Sequence, residues 1–448
     1  MNRNRLRNSS RFCREGAALS LLSITLTCFL GLFWLNRISH LASDCPNDFN
    51  CQKQSVSSFR INFLGNVLGA GINQRNKQLA GNWKTILFWN EAHPGNKTFD
   101  IGTGKDIFLK AGCPVWQCET TANRSRLPDE TYDAVVFNQR KWDPLDLPAK
   151  RSPHQRYIFW SRESPGWRYV NTNSMAEFFN WTMTYRWDSD IIYPYGWITL
   201  TDPTIVTKLT DTQGFQQLIA ETQLDTVNFA TGKTKKVAWF VSNCKSLSAR
   251  NEYVDRLKTF IDVDIYGRCG TMRCSRTDPE LCHEMLERDY KFYLSLENTL
   301  CEDYVTEKFF DQMRYHIVPI VFDLHGHHAR MAPPHSYINA ADYQSVGDLA
   351  DYLNLLDGND TLYNEYFWWK KHYVTHDNNE AAKHSMCELC RMIHDPAKPE
   401  KIYKDMKNWW DIQATCQTIT FSDEYEINNE THAEHTWEAK PMLIRWFG

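Results

Sequence analysis

The stretch Tyr290 to Phe310, YKFYLSLENTLCEDYVTEKFF, constrains the fold more than any other part of the chain. Phe292, Tyr293, Leu294 and Leu296 read as a buried strand that breaks at Glu297 and Asn298. Val305, Phe309 and Met313 then recur at four-residue spacing, so a helix is expected to restart at Asp303. On that helix Tyr304, Glu307 and Lys308 stand at i, i+3 and i+4 and share a face distinct from the apolar one. A strand that ends in a polar turn and restarts as a helix is half of a nucleotide-binding unit. In such a unit a lysine meets phosphate charge and a carboxylate meets hydroxyl groups. The same spacing equally describes an amphipathic helix with a solvated charged face.

The neighbouring segments extend this rhythm. Val237 to Val241, Val263 to Tyr266 and Ile317 to Phe322 read as strands, and a helix after the first is expected to be capped by Ser246 or Ser248. Arg250 then falls in its first turn, beside free N–H groups that favour an anion, although a solvent-facing arginine is the blander alternative. The chain lacks G-x-G-x-x-G and G-x-x-x-x-G-K-S/T, which argues against dinucleotide and P-loop chemistry. Upstream, Thr85 to Trp89, Ala134 to Phe137 and Tyr157 to Trp160 read as strands of a second α/β unit. The last runs into SRESPGW, which places Glu163 in a Pro/Gly-constrained turn beyond a strand end, where such folds put chemistry. Trp160, Pro165 and Trp167 are expected to reduce its exposure, whereas a lone loop glutamate is ordinarily solvated. Phe178 to Gly196 is dense in aromatics around Arg186, Asp188 and Asp190, charges that are either ligand-facing or a structural ion pair.

The N-terminus bears on the compartment. Five arginines between Arg3 and Arg14 precede the charge-free run Gly16 to Leu35, long enough to cross a bilayer; a cleaved signal peptide is the alternative. Of the 14 Cys, Cys13 and Cys28 lie on or before that run, and the remaining even number suits disulfides in an oxidising lumen. Sequons at Asn96, Asn123, Asn180, Asn359 and Asn429 agree with a secretory route. In that compartment the metal-like pattern His384, Cys387, Cys390, His394 is expected to hold disulfides. His325, His327 and His328 are expected to be a solvated cluster. A formal net charge of -4, with no basic run beyond the N-terminus, excludes nucleic acid as a partner. Asp262 and Asp264 have the spacing of a paired-acid metal site but flank strand residues, so a metal-independent scheme fits better.

The motifs SRESP (Ser161 to Pro165), FNWTMTYRWDSDIIYPYG, KKVAWFVSNCKSLSARNEYVDRL, DIYGRCG and above all YKFYLSLENTLCEDYVTEKFF resemble those of the alpha-1,3-fucosyltransferases, type II Golgi membrane proteins that use GDP-fucose. The similarity covers roughly Lys84 to Cys390. APPHSYINAADYQSVGDLADYL and YFWWKK resemble invertebrate members that modify the core of N-glycans.

The resemblance implies an α/β chain of GT-B type, two Rossmann-like lobes with the active site in the cleft between them, preceded by a transmembrane helix and stem. The boundaries expected are 1–15 for a cytosolic tail, 16–36 for the anchor, 37–82 for the stem and 83–228 for an acceptor-binding lobe. A GDP-fucose-binding lobe is expected over 229–395 and an extension over 396–448. The family's base falls on Glu163, its phosphate-contacting arginine on Arg250, and its nucleotide-binding positions on Asn298, Tyr304, Glu307 and Lys308. The activity implied is inverting transfer of fucose from GDP-beta-L-fucose to the 3-OH of a GlcNAc on glycoprotein N-glycans, the core residue first. Lewis-type or peptide-directed transfer and a catalytically impaired glycan- or nucleotide-binding member are the alternatives. No cofactor is required, a divalent cation being at most stimulatory, and the site is luminal on a single-pass Golgi membrane protein. One departure from the family's pattern is the turn Asp323 to His328, where relatives usually carry a Gly-containing turn, often with a small aliphatic loop, and it bears on donor fit and activity and not on the fold.

Overall fold

The structure, a computed structural model, describes residues 83–90, 102–167, 170–209, 212–223, 227–274, 278–398, 400–421 and 427–430. The expected tail, anchor and stem lie outside these residues, as do Cys45 and Cys51. Among the described residues no helix is long and apolar enough to cross a membrane.

The first lobe is a six-stranded parallel sheet of β1 (Lys84–Phe88), β2 (Cys118–Thr121), β3 (Ala134–Asn138), β4 (Arg156–Ser161), β5 (Trp181–Thr184) and β6 (Ile191–Ile192), in the order β2-β1-β3-β4-β5-β6. Alternation along the strands explains why each reads as an unbroken apolar run. Leu87, Val135, Phe137, Tyr157 and Phe159 face one core, while Ile86, Phe88, Val136, Ile158 and Trp160 face another, and both faces are covered. The helix Asn378–His394 provides one cover. It starts in a capping box, Asp377 with Glu380, and buries Ala382, Met386, Leu389 and Cys390 against the first sheet. Disulfides Cys113–Cys387 and Cys118–Cys390 fix it there. The metal-like pattern therefore holds disulfides, as expected, and residues 378–394 cross back from the second lobe onto the first.

The second lobe is a five-stranded parallel sheet of β8 (Lys235–Phe240), β9 (Val263–Tyr266), β10 (Tyr290–Leu294), β11 (Val318–Val321) and β12 (Ile338–Asn339), in the order β12-β11-β10-β8-β9. Outside these sheets, β7 (Trp197–Leu200) pairs antiparallel with β13 (Tyr373–His376), and β14 (Thr418–Phe421) pairs antiparallel with β15 (Ile427–Glu430). Both large sheets have the doubly wound order 2-1-3-4-5, the first with one strand more, so each has a switch point where the strand order reverses. In the second lobe that point lies between β8 and β10, the strands that precede Arg250 and the Glu297 turn. The two-lobed α/β arrangement expected from the sequence is what the chain adopts.

Gly196, at the end of the aromatic stretch, marks how closely the lobes approach. A Cβ there would sit 2.6 Å from Cγ of Phe310 and 2.7 Å from the carbonyl of His376, so only glycine fits.

Candidate active site at the switch point between the lobes

At the carboxyl end of β8 the chain turns through Ala249, which takes a left-handed φ of 56° and starts the helix Arg250–Leu257 without a side-chain cap. The expected serine caps are thus corrected. The hydroxyl of Ser248 donates instead to the carbonyl of Glu297 at 2.6 Å, and its N–H to the carbonyl of Asn298 at 3.1 Å, joining the loops after β8 and β10. Arg250, in the first turn as expected, is buried, and its Nη1 donates to the carbonyl of Leu296 at 2.5 Å. Burial lowers its pKa, opposed by Glu297, but a guanidinium remains charged at neutral pH.

The helix expected from Asp303 begins later. Asp303 itself has a left-handed φ of 59°, outside the helical range, and its carboxylate accepts from the N–H of Trp187 at 3.0 Å and from Arg330 at 2.8 Å. The helix is the short Glu307–Phe310, capped by the hydroxyl of Thr306. Tyr304 therefore lies before the helix and does not share a helical face with Glu307 and Lys308. It points across the cleft instead. Its hydroxyl donates to Oε2 of Glu163 at 2.9 Å, while its ring packs against Tyr185 at 4.9 Å. Burial raises the phenol pKa well above its usual value, so it stays a donor. Arg140 approaches the other carboxylate oxygen of Glu163 at 3.6 Å.

Lys308 and Glu307 stay together on the second lobe. Nζ of Lys308 lies 3.1 Å from Oε2 of Glu297, 2.7 Å from the hydroxyl of Thr306 and 3.2 Å from Oε1 of Glu307. Burial works against the ammonium, but Glu297 and Glu307 outweigh it and raise its pKa. Burial likewise opposes ionisation of Glu307, and Lys308 overcomes it, so that its pKa falls. Glu297, not singled out from the sequence as a site residue, is the hub: its buried carboxylate also accepts from the N–H and hydroxyl of Thr306 at 2.8 Å. Its signal was present, as the first carboxylate after an apolar strand.

Four polar atoms around this switch point are buried and unpartnered among the described residues: Nε of Arg250, Oδ1 of Asn298, Nδ2 of Asn243 and Oδ1 of Asn251. Buried polar groups are ordinarily satisfied, and four orphans at the carboxyl ends of β8 and β10 mark a place shaped for a polar ligand. Asn243 and Asn251 were not anticipated from the sequence, because nothing in their spacing separates them from surface asparagines.

The departing loop supports the site. The carboxylate of Asp323 accepts from the N–H groups of His325, Gly326 and His328 at 2.8 to 3.0 Å. The helix His327–Met331 follows, and it presents Arg330 to Asp303 and Glu302. Contrary to expectation, His327 and His328 are buried, His328 held by Asp323 and by packing against Phe309 and His327 beside Glu302, Asp303 and Arg330; His325 is exposed. Glu302, Asp303 and His327 lie close enough to share a cation, and the Arg330 guanidinium contacts all three. Arg186 resolves as a structural pair, bidentate on Asp188 at 2.9 and 2.7 Å. Asp190 likewise meets Lys401 at 2.7 Å.

Residues 81–196 match the family described as "Fucosyltransferase, N-terminal", and 230–409 match "Glycosyltransferase family 10 (fucosyltransferase) C-term". The chain is 40% identical over 337 residues to Alpha-(1,3)-fucosyltransferase C of Drosophila melanogaster, covering 73% of this chain and 77% of that protein. It is 36% identical over 344 residues to Glycoprotein 3-alpha-L-fucosyltransferase A of Drosophila melanogaster, covering 76% of this chain and 62% of that protein. With Alpha-(1,3)-fucosyltransferase fut-1 of Caenorhabditis elegans the identity is 32% over 346 residues, covering 76% and 71%. The chain belongs to the fucosyltransferases of glycosyltransferase family 10.

Proposed function

We propose that this chain transfers L-fucose from GDP-beta-L-fucose, in alpha-1,3 linkage and with inversion, onto GlcNAc of glycoprotein N-glycans, the core Asn-linked residue being the preferred acceptor. The observation that carries the reading is the pair of buried, unpartnered atoms Nε of Arg250 and Oδ1 of Asn298, on the two segments that Ser248 joins, with Tyr304 of the second segment bonded to Glu163. The names of the relatives support the linkage, and one names a glycoprotein acceptor. The motifs over 332–353 and 366–371 favour the core residue.

In this scheme GDP lies on the loops after β8 and β10. Arg250 and Lys308 stabilise charge on the departing diphosphate, and Asn298 and Glu307 bind the nucleotide and its sugar. Glu163 takes the proton from the acceptor hydroxyl as that oxygen attacks the anomeric carbon opposite the leaving group. Tyr304 and Arg140 hold the carboxylate. No metal is required for these steps, and a divalent cation at most stimulates them. Residues 83–228 serve the acceptor, 229–395 the donor, and 1–36 hold the enzyme in the Golgi membrane with this part in the lumen.

The test is Glu163→Gln. Removing a general base costs roughly 100- to 10,000-fold in turnover, while GDP affinity, measured by calorimetry, stays at the wild-type value. Turnover within a few-fold of wild type removes Glu163 from the role.

A further inference from the structure

Residues 400–417 belong to neither large sheet and connect the two lobes. On the first lobe, Tyr403 N–H donates to the carbonyl of Phe179 at 2.9 Å, and Lys401 and the Tyr403 hydroxyl reach Asp190 at 2.7 and 2.8 Å. Arg186 donates to the carbonyl of Trp409 and lies over its ring, and Thr172 bonds Asp411. Trp410 is fully buried against Phe159 and Tyr185. From this anchor the segment steps onto the loop after β10. Glu302 N–H donates to the carbonyl of Ala414 and Gln417 N–H to that of Leu300, both at 2.7 Å, and Cys301–Cys416 closes the junction covalently.

The disulfide sits against the loop that carries Glu163. A Cβ on Gly166 would lie 3.4 Å from Sγ of Cys301, 3.5 Å from Sγ of Cys416 and 3.2 Å from Cγ2 of Thr299. Two residues before Gly166, the Ser164 hydroxyl meets that of Thr299 at 2.6 Å. The base loop thus touches the donor loop through Ser164 and Thr299, through Gly166 and the disulfide, and through Glu163 and Tyr304.

We infer that the Cys301–Cys416 disulfide, seated on Gly166, is a positioning device that sets the Glu163 loop of the first lobe against the donor loop of the second. The inference rests on the reading of Glu163 as the base. A general base acts only at hydrogen-bonding distance from its proton, and a displacement near 1 Å costs about 100-fold in rate. Without the crosslink the base loop keeps only the Ser164–Thr299 and Tyr304–Glu163 hydrogen bonds to the donor loop, and the 400–417 segment only its two backbone bonds to it. A Cβ on Gly166 would already be in contact with both sulfurs and closer still to the Thr299 methyl, so a side chain larger than alanine would push the loop off the disulfide.

The test uses the luminal protein with GDP-fucose and an N-glycan acceptor, with turnover counted per GDP-binding site so that misfolded protein drops out. Wild type is assayed first, and absence of transfer by wild type refutes the functional reading and not this one. For Cys301→Ala with Cys416→Ala, the expected result is a fall in kcat of roughly 10- to 100-fold, with the KM for GDP-fucose within about threefold of wild type. A kcat per site within about threefold of wild type, or a loss confined to KM, overturns the inference. Gly166→Val, which keeps the disulfide, is expected to lower kcat, and to do so less when both cysteines are alanine, because a Cβ already fills the contact with the two sulfurs and leaves no room for further atoms. Equal losses in the two backgrounds overturn the inference, and if the cysteine variant yields no GDP-binding sites the kcat-to-KM split of Gly166→Val decides by the same limits.

Discussion

Replacing Lys308 by methionine tests the donor side of the site and separates two roles of one side chain. Its ammonium neutralises Glu297, whose carboxylate is 4% exposed, at 3.1 Å, and in the proposed mechanism it also meets the diphosphate. Removing one member of a buried pair costs about 3 to 5 kcal/mol when the other charge is left uncompensated. Here the loss is smaller, because Lys308 is 22% exposed and Glu297 keeps the N–H and hydroxyl of Thr306. A destabilisation of about 2 kcal/mol is expected on those grounds. Adding Glu297→Gln removes the stranded charge and restores most of that stability. It does not restore GDP binding, since a charge-assisted hydrogen bond of about 1.5 to 3 kcal/mol is still missing, or roughly 10- to 150-fold in affinity. Denaturant titration reads the first effect and calorimetry with GDP the second. Wild-type GDP affinity in the double variant refutes the assignment of Lys308 to the donor, and failure of Glu297→Gln to recover stability refutes the electrostatic account of the pair.

Two further predictions concern the lobe contact. Tyr304→Phe keeps the ring against Tyr185 and removes the donor to Glu163; kcat is expected to fall roughly 10- to 100-fold with GDP affinity within a few-fold, and the reverse pattern assigns Tyr304 to the donor alone. Asp303 has its pKa raised from 3.8 to about 6, chiefly by burial. The folded state therefore favours its protonated form, and the stability this contributes is complete below pH 4 and lost as pH rises through about 6. Asp303→Asn abolishes that term, so the stability of the variant relative to wild type should rise between pH 4 and 7, by up to about 3 kcal/mol. A pH-independent difference contradicts it.

The sheets were legible because their strands are buried on both faces, which leaves unbroken apolar runs such as Ile86 to Phe88 and Ala134 to Phe137. Of the proposed site residues Glu163 stands just past such a run, whereas Arg250 and Lys308 lie in the helical turns further along the segments that follow β8 and β10. What spacing misjudged was the start of the helix: the pattern Val305, Phe309, Met313 is real, and all three are buried, but the tertiary bonds on Asp303 hold it in a left-handed turn that periodicity does not register. The same holds for His328, which Asp323 and Phe309 hold, and for His327, which lies beside Glu302, Asp303 and Arg330. The return of 378–394 and 400–417 to the first lobe depends on pairings such as Cys118 with Cys390 that no local pattern encodes.

The central claim is fucose transfer to the core of an N-glycan, and a mass-spectrometric acceptor assay tests it most directly. The protein is incubated with GDP-fucose, a biantennary glycopeptide bearing the Asn-linked chitobiose core, and a lactosamine acceptor in competition. The account predicts one added deoxyhexose, mapped by fragmentation to the 3-position of the Asn-linked GlcNAc. Fucose found only on lactosamine, or no transfer by protein that binds GDP, contradicts it.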